Sequence, residues 1–214
     1  RVASNTATNL GGGIYSRSST VTIAASTVAS NTANAGGGIF FNQGSVTIAA
    51  STVAFNTATN DGGGIHIYEG GNLAITAAST IASNTATIAG GGIRNNGIGT
   101  VTIDASMVAS NTANSGGGVF NAGTVIVTSN SLVQANAAYD GGGMYNGGKV
   151  TIDTSKVIAN RSTNNGGGIY SIGNGSTLTV TNSSLLDNEA ANGGALQQSG
   201  GAETRLPAHA ERQR

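Results

Sequence analysis

The fold of this chain is decided by a stretch that it repeats. Gly36–Asn60 is GGGIFFNQGSVTIAASTVAFNTATN: a glycine triplet, an alternating Val-Thr-Ile segment and a Ser-x-Val-x-x-Asn block. Successive triplets start 25 to 28 residues apart, at Gly11, Gly36, Gly62, Gly90, Gly116, Gly141 and Gly166, and a degenerate eighth copy is Gly193-Gly194-Ala195. A fixed period of this length indicates a solenoid, in which each repeat buries its apolar face against the next.

Each repeat contains three short apolar segments, represented by Ile39, Val46-Thr47-Ile48 and Val53. Their alternation has period two, which is typical of strands, and Val, Ile and Thr favour strands. Three strands in 25–28 residues predict one coil of a parallel β-helix. A left-handed β-helix usually shows a strict hexapeptide period, which this chain lacks. We therefore predict an all-β, right-handed parallel β-helix of seven to eight coils.

The repeats predict one solenoid domain over residues 1–196. Val2-Ala3-Ser4-Asn5 matches the end of a Ser-x-Val-x-x-Asn block, so we expect the N-terminus to begin in the middle of a coil and the chain to be part of a longer protein. Residues 197–214 differ in composition, and we expect them to form a polar, disordered C-terminal tail.

Composition excludes several classes of protein. The 214 residues include 35 Gly, one Pro and no Cys, so disulfide scaffolds, thiolate metal sites and thiol nucleophiles are excluded. Lys+Arg and Asp+Glu number 9 each, which is not the basic footprint of a nucleic-acid binder. No apolar run is long enough for a membrane-spanning helix. We expect no nucleic-acid partner and no membrane insertion by this segment.

One Asn recurs five residues after a Ser in every repeat. Its amide can bond the Asn of the next coil, and Asn also tolerates left-handed backbone. We therefore predict a structural asparagine ladder of Asn31, Asn56, Asn84, Asn111, Asn136, Asn160 and Asn188.

The glycine triplets could instead have a functional role as a phosphate-binding loop, which needs a strand–loop–helix unit. Seven copies without a helical pattern do not fit it, and we predict no cofactor and no metal.

A second column, which we call the aromatic column, follows the apolar residue after each triplet. It comprises Tyr15, Phe40, His66, Arg94, Phe120, Tyr145 and Tyr170. If Ile14 and its equivalents point inward, this column points outward. Two interpretations stay open: stacked rings that shield a glycine-rich sheet, or a stripe that contacts a glycan or protein. The column and the corner loops are the candidate ligand contacts.

Catalysis is one alternative, because some parallel β-helices cleave polysaccharides. Asp104 and Asp153 share a column two coils apart, with Thr128 between them, a separation that could suit an inverting glycosidase. No His or third acid joins them in that column, so we predict that the chain is not an enzyme.

Ice binding is another alternative. Outward positions of the Val-Thr-Ile strand carry Thr pairs such as Thr20/Thr22, Thr100/Thr102 and Thr177/Thr179. Asn72/Ala74, Ile126 and Lys149 interrupt the array, which is also ordinary β-branched strand composition.

The repeat resembles that of the chlamydial polymorphic outer-membrane proteins, which carry GGA-[ILV] and FxxN motifs. Here the motifs are GGGI or GGGV, once Gly194-Ala195-Leu196, and V/I/L-x-x-N, as in Val53-Ala54-Phe55-Asn56. The resemblance covers about residues 2–196. It implies a passenger domain of a bacterial secreted or outer-membrane protein, often an adhesin. We therefore expect an extracellular or cell-surface solenoid that contacts cells, glycans or proteins without catalysis.

Overall fold

The computed structural model describes residues 1–205, and it confirms the parallel β-helix. Within this range the chain is all β, with no helix, and winds into a solenoid of about eight turns. Three parallel sheets of eight strands each form the walls. Each turn contributes one strand to each sheet because its three apolar segments are separated by tight corners.

Each wall collects the same segment from every repeat. Sheet 1, which leads into the asparagine ladder, comprises Val2–Ala3, Thr27–Ala29, Thr52–Ala54, Thr80–Ala82, Met107–Ala109, Leu132–Gln134, Lys156–Ile158 and Ser184–Leu186. Sheet 2, which follows the glycine triplets, comprises Ile14–Arg17, Ile39–Asn42, Ile65–Tyr68, Ile93–Asn96, Val119–Asn121, Met144–Asn146, Ile169–Ile172 and Leu196–Ser199. Sheet 3, the Val-Thr-Ile segment, comprises Thr20–Ala24, Ser45–Ala49, Asn72–Thr76, Thr100–Asp104, Thr124–Thr128, Lys149–Asp153, Thr177–Thr181 and Glu203–Arg205.

The sequence analysis did not anticipate a fourth, broken ladder between the asparagine ladder and the glycine triplets. It consists of the three-stranded Thr32–Ala35, Thr57–Asp61 and Thr85–Ala86, and the two-stranded Ala137–Asp140 and Arg161–Asn165. Isolated bridges such as Thr85↔Thr112 continue it through the intervening coils. These segments have no column of large aliphatic residues, and their buried side chains are small: alanines such as Ala58 and Ala86, and Ser162.

The core is a column of aliphatic side chains that runs along the solenoid axis. Ile39 of sheet 2, Ile48 of sheet 3 and Val53 of sheet 1 belong to one coil, and none of the three is exposed to solvent. The same positions are aliphatic in each following coil, and the strands pair in register, so like stacks on like about 4.8 Å apart. Burial of these side chains is the main stabilisation, at about 1.5–3 kcal/mol for each large aliphatic residue.

The structure places the left-handed backbone at other residues than the ladder asparagines for which the sequence suggested it. The residue before each ladder Asn has φ between 51° and 57°, as in Ser110 and Ala135, whereas the ladder asparagines do not have positive φ. A second left-handed corner precedes the Ser of each block, as at Ala105. The asparagines are therefore required for their amides and not for their backbone freedom.

Each glycine of a triplet meets a different obstacle. In the fourth triplet Gly90 has φ +68°, and a Cβ on Gly91 would lie 2.5 Å from the Thr112 carbonyl oxygen. A Cβ on Gly92 would lie 2.9 Å from the Asn111 amide nitrogen of the next coil. The last triplet has Ala195 in that third position, and no further ladder Asn of the described residues stacks on it.

The predicted boundary at residue 196 is not where the strands end. Leu196–Ser199 pairs with Ile169–Ile172, and Glu203–Arg205 pairs with Thr177–Thr181. These residues extend sheets 2 and 3 by one strand each, because Gly200 and Gly201, both at positive φ, turn the chain between them. Residues 206–214 of the expected tail lie outside the described residues.

Candidate functional site

The asparagine ladder is a continuous buried hydrogen-bond network. In every member except the last, Asn188, the backbone N–H and Nδ2 donate to Oδ1 of the Asn in the next coil, with Nδ2–Oδ1 distances of 2.9–3.0 Å. The second Nδ2 hydrogen reaches a carbonyl of sheet 1 in the preceding coil, as from Asn111 to Ile81 at 3.0 Å. The amide of a mid-ladder Asn therefore makes four hydrogen bonds, which accounts for its complete burial.

A second, shorter ladder escaped the sequence analysis. Nδ2 of Asn95 donates to Oδ1 of Asn121 at 2.9 Å, Asn121 donates to Asn146 at 3.0 Å, and Asn146 donates to Ser171 at 3.1 Å. The same inward column holds Phe41 and Ile67 in earlier coils. The sequence does carry a signal for this ladder. In three successive repeats, an Asn stands two residues after the apolar residue that follows the glycine triplet.

The aromatic column is assembled in register along sheet 2, and most of it is covered. Tyr15 stacks on Phe40 with ring centroids 5.8 Å apart, and Phe120 stacks on Tyr145 at 4.9 Å. Tyr170 packs edge-on against Tyr145 at 5.4 Å. Phe40 and Tyr170 are only 4% and 8% exposed, whereas Tyr15 is 51% exposed. The rings lie over the glycine triplets: Cβ of Phe40 is 2.7 Å from where a Cβ on Gly36 would stand.

The middle of the column is polar. His66 lies between Phe40 and Arg94 in the register of sheet 2, and its ring centroid is 5.0 Å from that of Phe40. Arg94 extends over Phe120 at 4.8 Å from the ring centroid, and its Nη1 bonds Oδ1 of Asp61 at 2.7 Å. Burial raises the pKa of Asp61, and the Arg94 charge opposes this rise. Tyr68, also outward and 38% exposed, borders His66 with centroids 6.2 Å apart.

The two carboxylates considered for catalysis each bond a threonine of the next coil. Oδ1 of Asp104 accepts from Thr128 at 3.1 Å, and Oδ1 of Asp153 accepts from Thr181 at 2.7 Å. Asn182 also donates to Asp153, and these two donors hold the pKa of the Asp153 carboxyl below its ordinary value. A lowered pKa suits a solvated, ionised carboxylate and is the opposite of what a general acid needs.

The outward residues of sheet 3, which we call the threonine face, form three in-register columns. The structure adds two threonines to the pairs named from the sequence. Thr124 is in register with Thr100, and Thr151 is in register with Ile126. In the described part of the chain, the hydroxyls of Thr22, Thr47 and Thr102 make no hydrogen bond to protein. From Thr20 to Thr102 this face carries no charged residue.

No helix among residues 1–205 is long and apolar enough to cross a membrane. Within the same residues, no group of three or more His, Cys, Asp or Glu side chains is arranged to hold a metal ion. No protein-family model, curated protein or solved structure matches the chain.

Proposed function

We propose that this chain is a non-catalytic display solenoid of a bacterial secreted or surface protein, and that its outward residues contact a cell-surface glycan or protein. One observation carries this proposal: a buried interior is combined with a variable exterior. Most inward columns keep aliphatic or amide side chains from coil to coil, and the column of sheet 2 that changes, from Ile67 to Asn95, stays fully buried. Outward positions of the same strands change in size and charge, as from Thr124 to Lys149. A scaffold stabilised from within leaves its surface free to carry contacts.

The resemblance of the repeats to the chlamydial polymorphic outer-membrane proteins supports the extracellular location that we propose.

We assign the contact with a glycan or protein to those rings of the aromatic column, and of the residues beside it, that are exposed to solvent. Tyr15 is half exposed, and Tyr68 presents a neighbouring ring on the same face of sheet 2. Tyr and similar rings supply large contact areas at a low cost in conformational entropy. The buried ring of Phe40 packs beside both of them, with its centroid 5.8 Å from that of Tyr15 and 6.2 Å from that of Tyr68.

The test is binding of the labelled protein to an array of immobilised mammalian and bacterial glycans and to cultured epithelial cells. Tyr15→Ala with Tyr68→Ala should reduce binding at least tenfold. Tyr139→Ala is the matched control, because Tyr139 is 52% exposed but lies in the fourth ladder. Equal binding by parent, double variant and control would refute a contact role for these rings. Absence of binding by the parent to every array spot and cell would refute the display proposal itself.

Ice binding is the second candidate, and the threonine face favours it. Thr22, Thr47 and Thr102 lie in one column of sheet 3. Thr22 and Thr47 present their methyl and hydroxyl groups at about the strand spacing of 4.8 Å, and Ala74 separates Thr47 from Thr102. Such an array can order water. Thermal hysteresis that is abolished by Thr102→Lys and retained by Thr57→Lys, an exposed position of the fourth ladder, would support this candidate. A parent protein without hysteresis would refute it.

A further inference from the structure

His66 is the one member of the aromatic column that can change its charge near neutral pH. The equivalent positions hold Tyr, Phe or Arg, and the chain's only other histidine is His209, outside the described residues. An ordinary imidazole titrates near pH 6.5, so it changes charge in a range where these other side chains do not.

The surroundings of His66 disfavour a second proton on its imidazole. The side chain is 5% exposed, and neither Nδ1 nor Nε2 makes a well-formed hydrogen bond among the described residues. The Asp61 backbone carbonyl raises the pKa of His66, but by less than burial and the Arg94 charge lower it. A buried charge without a hydrogen bond or a counterion is strongly unfavourable. The neutral ring, in contrast, packs well, because Phe40 and Tyr68 surround it with aromatic surface.

The charged neighbours make protonation still less favourable. On the adjacent strand of sheet 2, Arg94 is the direct register partner of His66. On the fourth ladder, the Asp61 carboxylate already bonds Arg94 and makes no hydrogen bond to the imidazole. On its own strand, the outward neighbour of His66 is the ring of Tyr68, which offers it no carboxylate. An imidazolium at position 66 would therefore lie beside a cation without an anion of its own.

We propose that His66 is an acid-sensitive switch within the rod: its protonation opens the outer face of sheet 2 at the coils of His66 and Arg94, while coils with Phe or Tyr at this position stay closed. The inference is independent of the ligand and of the proposed function. Burial, followed by the Arg94 charge, lowers the pKa of His66 to about 3. The closed state therefore holds the neutral ring, and the open state, with a pKa near 6.5, binds the proton.

The direction of the pH dependence follows from these two values. Above about pH 6.5 neither state is protonated, and the closed coil has its full stability. Below that pH only the open state takes up a proton, so the opening equilibrium constant rises about tenfold per pH unit until the pH approaches 3. From pH 7.5 to 4.5 this amounts to an increase of about 100-fold. Asp61 acts in the opposite direction, because its pKa is raised in the closed state.

The experiment is amide hydrogen exchange of the full chain at pH 7.5, 6.0 and 4.5, corrected for intrinsic exchange rates. We expect Ile65–Tyr68 and Ile93–Asn96 to lose protection at pH 4.5, and Ile169–Ile172 to keep it. His66→Phe should abolish the local loss, because a Phe fits between Phe40 and Arg94. His209→Gln, which removes the other imidazole, should leave the loss unchanged.

Two results would overturn the switch. One is an equal loss of protection in the parent and in His66→Phe, which would place the acid effect elsewhere. The other comes from the parent alone and does not depend on the folding of a variant: an imidazole NMR titration in which His66 protonates near pH 6.5 without any change in exchange. A His66 ring that stays neutral to about pH 4 in the folded protein supports the proposal.

Discussion

The asparagine ladder gives a quantitative prediction, because its hydrogen bonds can be counted for each member. Asn111 is fully buried, and its side chain makes four of them. Oδ1 accepts from the backbone N–H and the Nδ2 of Asn84 at 2.9 and 3.0 Å, and Nδ2 donates to the Ile81 carbonyl and to Asn136, both at 3.0 Å. At about 1 kcal/mol net for each bond, Asn111→Ala should lower the free energy of unfolding by about 4 kcal/mol.

The chain offers a matched control at the first member of the same column. Asn5 is exposed, and its side chain makes one hydrogen bond, from Nδ2 to Asn31 at 2.9 Å. Asn5→Ala should therefore cost no more than about 1 kcal/mol. Asn111→Asp keeps the shape but replaces the two donated hydrogens with a carboxylate oxygen that faces the Ile81 and Asn136 acceptors, so it should cost at least as much as Asn111→Ala.

The assay is urea unfolding followed by circular dichroism, with hydrogen exchange to locate the affected coils. Repeat proteins can lose two-state behaviour, so midpoints are compared together with slopes. Equal shifts for Asn111→Ala and Asn5→Ala would refute the reasoning, since they would show that stability does not follow the number of buried hydrogen bonds. A loss below about 1 kcal/mol for Asn111→Ala would do the same.

Three further predictions concern the glycine triplets, the left-handed corners and the carboxylates. Gly91→Ala should destabilise the protein by about 3 kcal/mol or more, because its Cβ would lie 2.5 Å from backbone oxygens of the next coil; urea unfolding measures it. Ala135→Gly should raise the unfolding free energy by about 0.5–1 kcal/mol, because Ala135 has φ +51° and Gly relieves that strain. The Asp153 carboxyl should titrate below its ordinary value of 3.8, and Thr181→Val should raise its pKa, as followed by carboxyl ¹³C NMR.

Each of these predictions has a control within the chain. Gly147→Ala should be tolerated, since the nearest atom to its Cβ would be 3.6 Å away and its φ is not positive. Ala122 is exposed and its φ is not positive, so Ala122→Gly should cost about 0.4–1 kcal/mol, the opposite sign to Ala135→Gly. The strain argument would be wrong if both substitutions had the same sign. An unchanged Asp153 titration in Thr181→Val would contradict the assigned cause.

The sequence by itself determined the period, the three strands of each coil and the identity of the inward residues. Val46 and Ile48 are separated by Thr47 in the chain, and this alternation places the aliphatic residues on one face of a strand in any strand conformation. Repetition of the same pattern every 25–28 residues leaves stacking of like on like as the way to bury that face. The positions of the ladder asparagines could also be read from the sequence, because they recur at the same place in every repeat.

Only the tertiary structure decided how far each outward residue is covered and which residues meet between coils. Tyr15 and Tyr170 are equivalent in the repeat, yet one is half exposed and the other buried, because Tyr15 lies on the edge strand of sheet 2 whereas Tyr170 lies between Tyr145 and Gln197 of the neighbouring coils. Asp61 and Arg94 meet across 33 residues through the broken fourth ladder, which has no hydrophobic period to reveal it. Alternation along a strand fixes the direction of a side chain, but its solvent exposure, its partners and its pKa arise from contacts between coils.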